Sequence, residues 1–484
     1  MKNKRVFNII YLIIFSILII GIGYFHEPWS DEAQSYLIAK TESVKNIFFE
    51  ISSSEGCFPL WVLILKLLIN LGLPYEKIYL VSSSIIIIST AIFVINEDID
   101  SKIKYSLPLS FWVFYQYGIV ARNYSLIVLA FSILVLLYNK RFEHTFKYFL
   151  LLVFFSLISL HGMIISGFLV FFYLIECIKK EKSLKNLLSF KRVGLCLILC
   201  AVYIFEVFIM LPKDDTLVQI NFTRVNPGQL VLNFIGHIAV IYHNVTAMSF
   251  IILCSLIFLI YCFYKTCKIN KDKTFLIITI VLTLFHIFVR GAGHHAGILF
   301  FTMVSSIILN YTELKKEDKY VFNMVIATYI ILCVVTCYQD INYKYSGAKE
   351  MAKYIIDSGI DSSKVFAIGY ETTSLQPYLN KKYINRDKPY YEWKVTNYDN
   401  LMYSYMTAFA KRNGEVLPDD YSPEYVLVQQ HNLHSDADEW ICSKIEGSNI
   451  YREIKRTEGT NFFKGKYNET EGFILYKRID LNEN

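Results

Sequence analysis

An acidic pair, Asp31-Glu32, stands about six residues beyond the end of a long apolar run and next to Trp29. A carboxylate at a partly desolvated membrane surface can take a proton from a hydroxyl. The same pair is also an ordinary helix start, with Ser30 as N-cap and acids in the first turn. Arg122 sits in Val120-Ala121-Arg122-Asn123-Tyr124-Ser125, between two apolar runs that leave almost no loop. A guanidinium fixed there suits a phosphate, although an arginine at a helix end also simply snorkels to the interface. His294-His295, with Arg290, lies in a glycine-bounded segment, 290–297. Adjacent histidines cannot share one helix face, so a two-histidine metal grip from one helix is disfavoured. In a turn, either ring could bind a phosphate or a metal. Glu55 and His161 are weaker candidates for acceptor or loop contacts. Lys213-Asp214-Asp215 could hold a metal or a sugar, or be a solvated loop. His26, His431 and His434 carry the weakest signal.

These residues need elements to hold them, and the composition says which kind. Of 484 residues, 54% are hydrophobic and only 19% charged. A soluble chain carries about 25% charge, and a disordered one is far less apolar. Glycine, proline and cysteine are too sparse for collagen-like or disulfide-scaffold classes. Walker A, HExxH, GxSxG and CxxC spacings are all missing. Only Cys57 and Cys442 fall outside apolar runs, which allows at most one external disulfide. A polytopic membrane protein remains.

A helix needs about 20 mostly apolar residues to cross the hydrocarbon core. Eleven spans are predicted, at roughly 7–25, 78–95, 105–121, 123–138, 148–160, 163–178, 193–211, 247–264, 274–290, 296–311 and 320–338. The fifth and sixth are short and could form one long helix. The stretches 59–73 and 230–246 read as helices lying at the surface or partly inserted. With the N-terminus in the cytoplasm, the inside segments hold 21 Lys and Arg against eight in the outside segments before residue 339, in line with the positive-inside rule. Residues 1–338 then form the membrane domain, with an external loop at 26–77. The charged, tyrosine-rich tail, 339–484, reads as an extracytoplasmic α/β domain, with helices near 346–358 and 436–446 and strands near 364–368, 425–429 and 473–477. On this topology the unusual polar residues gather at the external ends of spans. Ionisable groups near membrane depth are costly and tend to mark function.

Three segments carry a family likeness. Glu27-Pro28-Trp29-Ser30-Asp31-Glu32-Ala33-Gln34, Glu55-Gly56-Cys57-Phe58-Pro59-Leu60-Trp61 and Tyr117-Gly118-Ile119-Val120-Ala121-Arg122-Asn123-Tyr124-Ser125-Leu126 resemble bacterial GT-C-fold glycosyltransferases. The likeness is to the broad group holding the protein O-mannosyltransferases, the lipid A aminoarabinose transferase and the Rgt-like transferases. It covers the order of elements over about residues 1–340. The resemblance implies about 11 spans, a large first external loop, and a sugar donor carried on polyprenyl phosphate. It puts Asp31 at the place of the catalytic base and Glu32 at the second acid, holding the acceptor or steadying the helix. Pro59-Leu60 matches the juxtamembrane turn, with Cys57 and Phe58 where many relatives have His and Pro. Arg122 matches the arginine of the short loop after the third span, and His294-His295 resembles a basic turn before a late span.

The expected activity is inverting transfer of a sugar to an envelope lipid, wall polymer or protein at the extracytoplasmic face of the plasma membrane. Asp31 would be the base. Arg122, Tyr124, Arg290, His294 and His295 would neutralise the donor phosphate. No cofactor is required, a divalent metal is allowed, and neither a nucleotide nor a nucleic acid is expected. Membrane lipid would be a partner throughout. The alternative is a transporter or lipid flippase, which should place ionisable groups near the bilayer midplane. Glu206 and Glu176 are the residues that would serve it. A third reading is a scaffold whose external domain binds a wall polymer or protein; it expects Asp31 to be replaceable.

Overall fold

The computed structural model describes residues 2–55, 57–181, 190–211, 246–269, 272–288, 293–368, 370–379, 424–430, 445, 450–459 and 471–479. Among the described residues, six helices are long and apolar enough to cross a membrane: Lys4–Gly23, Tyr75–Ile95, Leu160–Lys180, Arg192–Met210, Phe250–Ile269 and Lys316–Asn342. Shorter apolar helices run over Leu60–Asn70, Tyr124–Lys140, Thr145–Ile158, Thr274–Phe288 and Gly293–Leu309. The chain is a multi-pass membrane protein with a small sheet near its C-terminus. The predicted stretch 230–246 up to residue 245, Lys213-Asp214-Asp215, Arg290, Cys442 and nearly all of the predicted helix 436–446 lie outside the described residues.

The helix Ala296–Leu309 sits inside the bundle. That helix touches Tyr124–Leu137, Thr274–Phe288 and Thr246–Ile269, and every residue from Ala296 to Ile308 is buried. By contrast, Lys4–Gly23 leaves most of its apolar surface outward, as a lipid-facing helix should. The expected span 105–121 is not one helix. Ser101–Ser106 is helical, Leu107–Leu109 is a tighter turn, and Ser110 is extended (φ −71°, ψ 153°) before a wide turn over Trp112–Gln116. Pro108 cannot donate to the helical ladder and crowds the preceding turn, which explains the break. The fifth and sixth spans are separate helices, Thr145–Ile158 and Leu160–Glu181. Extended Ser159 divides them, and they pack along each other.

At one end of the bundle, charges tie helices together. Arg141 donates to Glu176 at 2.6 Å and lies 3.9 Å from Asp272, while Tyr138 donates to Asp272. Its guanidinium also sits 4.0 Å from the Tyr138 ring centre. Glu176 therefore belongs to a polar tie between helix ends.

The C-terminal region starts with the helix Ala348–Asp357 and a four-stranded sheet. The strands are β1 (Val365–Ile368), β2 (Tyr425–Gln429), β3 (Tyr451–Thr457) and β4 (Phe473–Arg478). Their order is β1-β2-β4-β3, with β1 parallel to β2 and the other two ladders antiparallel. Met351 and Ile355 of the helix pack on Val365, Ala367, Leu427, Phe473 and Leu475. The unpredicted strand is β3, Tyr-Arg-Glu-Ile-Lys-Arg-Thr, which lies at the sheet edge. Its charges suit an edge, where they discourage pairing with other chains, and they hide the apolar alternation.

Candidate active site

Asp31 and Glu32 open the helix Ser30–Thr41. The expected amphipathic stretch is instead buried on most sides, with Ser30, Glu32, Ala33, Gln34, Tyr36, Leu37, Ile38 and Ala39 all inaccessible. The helix is sandwiched between Leu60–Asn70 and the turn Tyr370–Leu375. Ser30 is not the N-cap. Trp29 holds that position with extended backbone, and Ser30 is the first helical residue. The cap is made differently: the Glu32 carboxylate turns back to accept the Trp29 N–H at 3.2 Å, and the Ser30 N–H donates to Glu471 Oε1 at 2.8 Å.

The two acids have different surroundings. Asp31 keeps 24% of its side chain exposed and forms an ion pair with Arg122, itself 21% exposed. Glu32 is fully buried: its Oε1 accepts from the Ala121 N–H at 2.6 Å, and its Oε2 lies 3.1 Å from His26 Nε2. On the other side of the ring, His26 Nδ1 lies 3.0 Å from Asp340 Oδ2. All three side chains are inaccessible. Burial alone would lower the pKa of His26, but the Asp340 and Glu32 carboxylates outweigh it and hold the imidazole up at about 10. An imidazolium between two carboxylates thus locks the end of the first helix, the acidic-pair helix, the Arg122 turn and the end of Lys316–Asn342 together. Glu32 has both oxygens engaged within the protein and ties the helix start to Ala121 and His26.

Arg122 is set by a tight turn, its N–H donating to the Val120 carbonyl at 3.0 Å. The Asn123 amide ties that turn to the Ile158 carbonyl at 3.1 Å. Gly118 makes the approach possible, since a Cβ there would meet the Phe114 carbonyl at 2.3 Å. The Arg122 guanidinium lies 5.7 Å from the Tyr124 ring centre. Tyr124 contacts the rings of His294 and His295, at 5.2 and 5.8 Å between centres. Tyr117 stacks on Tyr124 at 5.1 Å and donates to the His294 carbonyl. His161 lies 4.5 Å from His295, ring to ring, and His286 lies 6.1 Å from it.

Arg122, Tyr124, His161 and His295 line one cleft with Ser35, Cys57–Pro59, Trp61 and Asn123, about 730 Å³ with its opening to solvent included. Two of the three segments of the family likeness, the turn at 159–161 and the turn before Ala296–Leu309 therefore meet at one place, and the first segment is tied to it by the Asp31–Arg122 ion pair. Asp31 stands beside it through Arg122 and one turn before Ser35. Arg290 lies outside the described residues. Glu55 sits in the short helix Ser52–Glu55, but its side chain also lies outside the described residues. His26, Asp340, His286 and Glu471 were not among the expected site residues. Asp340, an acid at the end of a long apolar helix, was the one readable signal among them. Among the described residues, no group of three His, Cys, Asp or Glu side chains is arranged to hold a metal.

Glu206, on which the transport alternative depends, is buried and accepts from Ser156 Oγ of the neighbouring helix at 2.8 Å. Comparison with family models, curated proteins and solved structures finds no match to this chain.

Proposed function

We propose that the protein is an inverting membrane glycosyltransferase of the GT-C type, which moves a sugar from a polyprenyl phosphate to an envelope lipid, wall polymer or protein. The observation that carries this reading is the Asp31–Arg122 ion pair, whose arginine lines a cleft together with Tyr124, His161 and His295. The Arg122 guanidinium and the Asp31 carboxylate form an ion pair. An arriving donor phosphate competes for Arg122 and frees the Asp31 carboxylate. Asp31 then takes the proton of the acceptor hydroxyl, whose oxygen attacks the anomeric carbon. The bond from that carbon to the phosphate oxygen breaks, and polyprenyl phosphate leaves, its charge met by Arg122 and the histidine turn. Glu32, His26 and Asp340 hold the helix that presents Asp31.

The ten apolar helices other than Leu60–Asn70, together with the broken segment 101–116, make eleven crossings with Leu60–Asn70 at the surface. The cleft end then faces the extracytoplasmic side with the sheet domain, because the opposite end carries Lys104, Arg141, Lys180 and Lys319. The packing of Glu206 against Ser156 favours a tie between helices over an ion path.

Binding of undecaprenyl phosphate to the purified protein in detergent, against undecaprenol, tests the reading. Arg122→Ala should weaken binding of the phosphate at least tenfold and leave that of the alcohol unchanged. Equal binding of the phosphate by wild type and variant would count against it.

A further inference from the structure

We infer that Glu471, from the C-terminal domain, is a positioning residue for the helix that bears Asp31 and Glu32. A helix N-terminus leaves its first N–H groups without intrahelical acceptors and carries partial positive charge. Ser and Asp side chains normally serve there, yet the residue at the cap position is Trp29, whose indole accepts nothing. The acceptor arrives instead from 441 residues away: Glu471 Oε1 takes the Ser30 N–H at 2.8 Å. This is a charge-assisted bond, and both groups are buried.

Glu471 is itself held rigidly. It forms a parallel bridge with Ser346, its carbonyl accepts from the Gly347 N–H at 2.9 Å, and it leads directly into β4 in the middle of the sheet. The same domain grips the surroundings of the helix. Tyr345 packs 4.6 Å from the His26 ring and 6.4 Å from Trp29, Tyr378 packs 4.9 Å from Tyr75, and the Tyr75 hydroxyl donates to the Pro28 carbonyl at 3.3 Å. The turn Tyr370–Leu375 covers the helix. The sheet domain is therefore a structural half of the site, with Glu471 as its point of contact to the backbone immediately before Asp31.

The catalytic consequence rests on the transferase reading, but the cap does not. Hydrogen exchange followed by mass spectrometry on the full-length protein in detergent measures the cap alone. Glu471→Ala should raise exchange of the Ser30–Ala33 amides about tenfold. Exchange in β2 and β4 should stay at wild-type level. Glu471→Gln keeps an acceptor oxygen without the charge and should give a smaller rise, about threefold. Lys349→Ala, which removes an exposed 3.0 Å pair with Glu76, should change nothing at Ser30–Ala33. Should Glu471→Ala disturb the sheet, Glu471→Gln decides. Wild-type exchange at Ser30–Ala33 in Glu471→Gln and in any folded Glu471→Ala would overturn the cap. Envelope glycan profiles of cells carrying each variant measure the consequence. If Asp31→Asn loses a glycan and folded Glu471→Ala does not, the positioning role is overturned. Loss in both, with partial recovery in Glu471→Gln, supports it. If Asp31→Asn leaves the glycans intact, the transferase reading is what fails.

Discussion

His26 gives a prediction with a definite sign. Its folded pKa of about 10 lies above the ordinary 6.5, so above pH 6.5 folding takes up a proton that the unfolded chain does not hold. The stabilisation is fully present below about pH 6.5 and is lost as the pH rises through about 10. Its slope is at most about 1.4 kcal/mol per pH unit. Removing the ring leaves Glu32 and Asp340 facing each other across a buried gap. Breaking such a buried charged group costs about 3–5 kcal/mol. His26→Gln should therefore lower the melting temperature of the protein in detergent at pH 6.5 by about 6–10 °C, taking about 2 °C per kcal/mol for a large chain. The wild type should converge on the variant as the pH rises from 6.5 toward 10. Other groups titrate in that window, so the difference between the two curves is the quantity to read. Parallel curves from pH 6.5 to 10 would refute an imidazolium at this position.

Further expectations concern the cleft and its frame. Arg122→Lys keeps the charge but loses the planar fork, and sugar transfer measured by product formation should fall by about tenfold to a thousandfold; full activity would contradict the phosphate role. Gly162→Ala would put a Cβ 2.0 Å from the Phe155 carbonyl. It should destabilise by about 1–3 kcal/mol, read as a lower melting temperature, and weaken undecaprenyl phosphate binding by shifting His161. Glu206→Gln keeps an acceptor for Ser156 and removes an ionisable group from inside the bundle. Its melting temperature should match or exceed that of wild type, with sugar transfer intact; loss of function in the folded variant would favour the transport alternative.

The sequence made the cleft readable because its components are local. Acidic pair, juxtamembrane turn, Arg122 turn and His294-His295 each announce themselves within a few residues. The relay that holds them was hidden, because its force comes from proximity: His26 and Asp340 are 314 residues apart. His26 looked like one histidine past a helix end, and nothing in its neighbours marks the two carboxylates that charge it. Ser30 illustrates the same limit. It is the favoured residue type for an N-cap, yet tertiary contact with Glu471 moves the helix start back by one residue. The run 105–121 was apolar enough to read as a span, but Pro108 broke it. The edge strand β3 escaped notice because charges suited to an edge mask its alternation.

The central claim is that Asp31 is the base of a sugar transfer. Its most direct test replaces Asp31 with Asn, which preserves size and removes basicity, and verifies normal amounts of protein in the membrane. Envelope lipids, wall polymers and surface proteins are then compared by mass spectrometry with wild type and a deletion strain. The account predicts that Asp31→Asn and the deletion lose the same sugar, which would also identify the acceptor. A deletion phenotype fully restored by the Asp31→Asn protein would contradict it.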